Sequence, residues 1–140
     1  MFELTSKVVS DFDAIIKEEQ KAKYRNLGHA AASIRKTEIE SIHFGKGPSQ
    51  PGTPPHTHGL RLTKKGKARR GVLQRAIIYV VEGDTALIGP RFSIAGSSGA
   101  AHEFGGEYKG ANFPKRPFAL PALEKNLSRF AQSWRHSIGK

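Results

Sequence analysis

At 140 residues, with a net charge of +11, 37% hydrophobic residues and no cysteine, the chain has the size of one domain and the makings of only a modest core. The absence of cysteine excludes disulfides, thiol catalysis and cysteine-based zinc sites. No apolar run approaches the roughly 18 residues that span a bilayer, and no signal-peptide apolar region opens the chain, so a soluble product made in a cytosol, with no membrane partner, is expected.

The charge is local. Residues 1–44 carry seven bases and seven acids, and residues 45–75 carry eight bases and no acid. Residues 76–114 are slightly acidic, and residues 115–140 hold six bases against Glu124 alone. The excess therefore describes a loop and a terminal helix, not the fold.

Residues 6–43 read as helical, because Val8, Phe12, Ile15, Ile16, Tyr24, Leu27, Ala31 and Ile34 recur at steps of three and four. A single rod of that length would run about 55 Å, whereas a compact domain of this size has a radius of gyration of about 14 Å. Either the helix breaks, or it projects and packs on another subunit. A break or bend near Asn26-Leu27-Gly28 is the expected solution. Residues 45–70, dense in Gly, Pro and base, read as a long loop, mobile in isolation. Ala76–Val81 and Thr85–Ile88, joined by Glu82-Gly83-Asp84 and stopped by Gly89-Pro90, read as a β-hairpin. A short third strand is expected near Gly106–Gly110. Leu120–Ile138 reads as an amphipathic helix with Leu120, Leu123, Leu127, Phe130, Ala131, Trp134 and Ile138 on one stripe, Lys125, Arg129, Gln132 and His136 on another face, and Pro121 in the first turn. The expected fold is thus α+β in a single domain. It comprises a long N-terminal helix, a small antiparallel β-sheet with a central hairpin, and an amphipathic C-terminal helix packed on that sheet.

Few side chains suggest chemistry. His56-Thr57-His58 would place two imidazoles on one face of a strand, but no third ligand lies near and the surroundings are Pro-rich and cationic, so a polar loop without metal is expected. His102-Glu103 has the makings of an acid/base dyad, yet in a strand adjacent residues point to opposite faces. Ser97-Ser98 lacks a nucleophile-elbow context, and the glycines follow no phosphate-binding spacing. No enzyme activity and no cofactor are expected. Lys64, Lys65, Lys67, Arg69 and Arg70 form a cluster of the kind that binds phosphate backbones, without interleaved aromatics. A small basic nucleic-acid-binding protein is the alternative this cluster offers.

The segment from His102 to Leu123 reads mechanically. Gly105-Gly106 permits a left-handed backbone, and Pro114 and Pro117 hold the chain extended. Phe113 and Phe118 are apolar anchors, and Arg116 is placed to pair with a carboxylate, Glu103 being the local candidate. Together they set the entry angle of the last helix.

In these residues the chain resembles the small head–tail joining, or tail-completion, proteins of long-tailed bacteriophages. The resemblance is carried by Glu103-Phe104-Gly105, followed by Gly106, then by Pro114-Lys115-Arg116-Pro117-Phe118 leading into Pro121-Ala122-Leu123. Upstream, Pro51-Gly52-Thr53-Pro54-Pro55 and Gly59-Leu60-Arg61 match a second motif of that family, and the order of elements spans nearly the whole chain. The basic run from Lys64 to Arg70 is heavier than the family pattern, and the usual short polar strand ending in Ile does not follow the Gly-x-Leu step.

The resemblance implies a non-enzymatic virion protein in the tail neck, assembled in the host cytoplasm. Its subunits form a homo-oligomeric ring, commonly a hexamer, that completes the tail and docks it to the head. The implied partners are the tail tube protein, the head connector or stopper protein and, in the channel, non-specific DNA. A stopper or adaptor ring is the neighbouring alternative. The loop bearing Pro51, Pro54, Pro55 and the basic cluster would order on assembly against an adjacent subunit or partner.

Overall fold

The computed structural model describes residues 2–58, 71–135 and 137, with side chains from residue 12 onward. The fold is α+β and is organised around its first element, α1 (Phe2–Ser41). The expected break is not there: α1 passes through Asn26, Leu27 and Gly28 as one helix. A mid-helix glycine costs about 1 kcal/mol relative to alanine, and here packing on both sides overrides it. Ala22 and Asn26 before it, and Ala31 and Ile34 after it, are all buried.

Three separate two-stranded pairs stand where one small sheet is expected. The central hairpin joins β3 (Ile77–Glu82) to β4 (Thr85–Pro90) in antiparallel register, from Ile77 opposite Pro90 to Glu82 opposite Thr85. Gly83 supplies the left-handed turn residue with φ +55°. The second strand does not stop at Gly89-Pro90 but runs through both. The strand expected near Gly106 exists as β5 (Gly106–Tyr108), and it has an antiparallel partner, β6 (Ala111–Phe113). Lys109 and Gly110 both take positive φ in the turn between them, as a tight two-residue hairpin demands.

The first part of the expected loop is folded against the body. β1 (His43–Phe44) pairs in parallel with β2 (His56–Thr57), closing residues 45–55 into a small excursion whose Pro55 is fully buried. Inside it Pro51 and Gly52 (φ +81°) form the corner of a turn in which the Thr53 N–H donates to Gln50 O. Gly59-Leu60-Arg61 and the cluster Lys64, Lys65, Lys67, Arg69 and Arg70 lie outside the described residues.

Short helices fill the remaining connections: α2 (Val72–Ala76), α3 (Phe92–Ala95) and α4 (Ser98–Phe104). The last helix, α5 (Ala119–Trp134), runs antiparallel to α1: Asn126 Nδ2 donates to Thr37 Oγ1, while near its end Ser137 O receives Arg25. Its main packing partner is α1, not a sheet. The face it buries carries Ala122 and Asn126. At 100° per residue the apolar stripe lies about a third of a turn away, and Leu120, Leu123 and Leu127 remain 55%, 41% and 51% exposed.

The core is small: Ile39, Ile42, Leu73, Ile77 and Phe118, with Ala95 and Ala119 against it. Gln74 stitches its edge. Its amide donates to Ile39 O (3.2 Å) and Ile42 O (2.8 Å) at the end of α1, and its oxygen receives the Gly71 N–H (2.9 Å). Among the described residues no helix is long and apolar enough to cross a membrane.

Gln74→Leu keeps the volume but strands a buried N–H and two carbonyls. Urea and thermal unfolding are expected to register a loss of about 3 kcal/mol, or about 10 °C in Tm.

Candidate functional site

The segment from His102 to Leu123 is built around one carboxylate. Phe118, the residue before α5, has no side-chain oxygen to cap the helix. Glu103 reaches across from α4 to do so: Oε2 accepts the N–H of Phe118 (2.8 Å) and of Ala119 (2.9 Å), and Oε1 accepts that of Leu120 (2.9 Å). A helix start exposes four N–H groups. Three of them meet Glu103, and the fourth position is Pro121, which has none to offer. The carboxylate also sits at the positive end of the helix dipole.

This overturns the expected Glu103–Arg116 clasp. Among the described residues no carboxylate lies within ion-pair distance of Arg116. Arg116 is 6% exposed, and its Nε donates to Ser49 O at 2.8 Å. Its backbone N–H donates to His102 O (2.7 Å), and the Gly52 N–H donates to Lys115 O (2.8 Å). The extended segment between Pro114 and Pro117 therefore lies between α4 and the Pro51-Gly52 turn, bonded to both. Phe118 then inserts into the core.

Gly105 is needed twice over, because φ is +68° and a Cβ would meet Lys115 and the Phe113 carbonyl at 3.0–3.1 Å. Gly106, at φ +105°, completes the reversal from α4 into β5. Phe104, Pro114 and the tip of the proline turn face outward, whereas Pro117 and Pro54 are half-buried.

His102 and Glu103 belong to a helix, not to a strand. Both oxygens of Glu103 are engaged by amide donors. Burial, and secondarily the Arg116 charge, hold the His102 pKa below its usual value. The His102 side chain instead lines a cavity of about 280 Å³ with His56, Thr57, His58, Leu73 and Ser98. Three histidines thus line one space, which residue spacing alone does not reveal. Among the described residues, however, no group of three His, Asp or Glu is arranged to hold a metal. His56 is engaged with Gly47 O at 3.1 Å, and its ring fills the space a side chain at Gly45 would need.

One further group escapes sequence reasoning. Glu38 projects from the middle of the α1 periodicity into the interior, is 1% exposed, and keeps Oε2 without a hydrogen-bond partner. Burial, then the neighbouring Glu103 carboxylate, push its pKa up to about 7, with Arg35 opposing. Arg35 itself is held by the Ile77 carbonyl through Nε (2.8 Å).

Outside this frame several large apolar side chains are exposed. Phe12, Ile15 and Ile16 on α1, Leu87 on the hairpin, Phe92 and Phe104 beside α4, and the α5 leucines are all exposed. Comparison with protein-family models, with curated proteins and with solved structures returns no match.

Two outcomes are expected of this frame. Glu103→Ala should cost about 2–3 kcal/mol in urea unfolding, with Glu103→Gln losing less because an amide oxygen still accepts. Glu38 retains its proton in the folded state over the range, from 4.5 to about 7, in which the unfolded chain releases it. Its contribution to stability therefore falls as pH rises through that window, by at most about 3 kcal/mol. His102, with a lowered pKa, acts in the opposite sense, its contribution falling as pH drops below 6.5. Glu38→Gln isolates the first effect: its urea midpoint should exceed the native one at about pH 8 and converge with it at about pH 4.

Proposed function

We propose that this chain is a non-enzymatic structural subunit of a bacteriophage virion, forming a ring at the head-proximal end of the tail that completes the tail and joins it to the head connector. The observation that carries this reading is the pair of motifs in their order, Pro51-Gly52-Thr53-Pro54-Pro55 and then Glu103-Phe104-Gly105 with Arg116-Pro117-Phe118. Their geometry gives the motifs a mechanical purpose. Pro51-Gly52 is bonded to the extended segment, Arg116 to the loop, and Glu103 to the start of α5. Glu103 fixes the start of α5, and the other two contacts hold the extended segment that leads into it.

The surface supports the same reading. Among the described residues, a small core cluster leaves Phe12, Ile15, Ile16, Leu120, Leu123 and Leu127 uncovered, which is apolar area to share with neighbours. A ring requires a heterologous contact that closes by rotation. The tail tube protein and the head connector or stopper would take the two faces of that ring, with the virion neck as its location.

Negative-stain imaging of the purified protein is expected to show closed rings, and a phage lacking the gene should accumulate unjoined heads and tails of abnormal length. A protein that stays monomeric and binds duplex DNA with an affinity that falls steeply with salt would favour the nucleic-acid reading instead.

A further inference from the structure

Among the described residues, two polar contacts toward the N-terminal end of α1 mark where the body stops. Lys23 Nζ meets Asp84 at the hairpin tip at 2.7 Å, and Arg25 reaches Ser137 just past the end of α5. Helix α1 continues to Phe2 beyond both, a further 20 or so residues, which is about 30 Å of rod at 1.5 Å per residue. From Phe12 to Glu18 every side chain is exposed, whichever way it points. Yet the rod is amphipathic. Phe12, Ile15 and Ile16 share one face at the i, i+3, i+4 spacing by which helices seat in grooves. Residues 11–20 also run against the charge of the chain, with Asp11, Asp13, Glu18 and Glu19 opposed only by Lys17.

A groove of about 390 Å³ lies along the seam of α1 and α5. Its floor is small, with Ala30, Ser33 and Asn126, so a backbone can approach closely, and Phe130 forms an apolar wall. Arg129 and His29 line it and no carboxylate does.

We propose that the projecting half of α1 docks in the α1–α5 groove of a second copy of the chain, adding a third helix to that pair. Charge selects this occupant: rod against rod sets acid against acid, whereas rod against groove sets Asp13, Glu18 and Glu19 near Arg129 and His29. The contact is heterologous, since donor and acceptor surfaces lie on different parts of each subunit, and repetition propagates it from copy to copy. The inference rests on the ring reading for its biological setting and supplies the interface.

The cysteine-free chain permits a direct test. Ile16→Cys and Ser133→Cys are prepared as single variants and as the double variant, then oxidised. Within one chain the two sites are far apart, since Asn126 lies beside Thr37 and Ser137 beside Arg25, which places Ser133 well over a full turn of α1 beyond Ile16. A disulfide needs Cα atoms within about 7 Å, so any bond formed is between chains. The expected result is a covalent dimer from the mixed single variants, a ladder of multimers from the double variant, and no dimer from either single variant alone. Adding Arg129→Glu should lower the yield about tenfold, and Glu18→Lys with Glu19→Lys on the donor should restore it. Crosslinking of Ile16→Cys to itself would overturn the proposal in favour of rod–rod pairing. Oligomers by light scattering without the mixed crosslink would overturn the interface while leaving the ring reading intact, and a persistent monomer would overturn both.

Discussion

A single carboxylate holds three backbone amides at the start of α5, and the placement of everything C-terminal to it follows from that contact. Phe118 cannot cap the helix it precedes, and Pro121 removes the one donor that Glu103 does not reach. The cap therefore ties α5 to α4 rather than to its own sequence neighbours. Gly105 makes the approach feasible, and Arg116 fixes the intervening segment to the proline turn through Ser49 O. The motif residues act as one joint.

Much of the interior around that joint is polar. Glu38, Gln74, Arg116 and Asn126 are buried near the cluster of Ile39, Ile42, Leu73, Ile77 and Phe118. Buried polar groups stabilise only when their partners are present. Gln74 and Asn126 have theirs, and Glu38 relieves its missing partner by holding a proton near neutrality. Such an interior specifies helix positions tightly while contributing modest burial, and it leaves apolar side chains such as Leu120 and Leu127 exposed.

The hairpin and the two long helices were legible because each rests on a local signal: a β-branched run with Gly83-Asp84, or apolar residues at steps of three and four. What was not legible depended on distant parts of the chain. The continuity of α1 through Gly28 is decided by packing at Ala22, Asn26 and Ala31, which a local propensity argument cannot weigh. Periodicity identified α5 as amphipathic, but not that Ala122 and Asn126 would face α1 while the leucines faced out. Helices of four to seven residues such as α3 and α4 are too short to display a period. The role of Glu103 was misassigned to the nearest cation. The clue was available, since a helix opening on Phe-Ala-Leu-Pro must borrow its cap from elsewhere.

The borrowed cap also bears on the order in which a new chain becomes competent. Chain order puts α1 through the ribosome before α4, and α4 before the turn of α5 that Glu103 caps. That turn is secured only when α4 and the β5–β6 hairpin have brought Glu103 into place. A nascent chain therefore carries the Glu103 carboxylate before it has the three amides that this carboxylate holds. The Glu103 latch closes only after the first turn of α5 has been made.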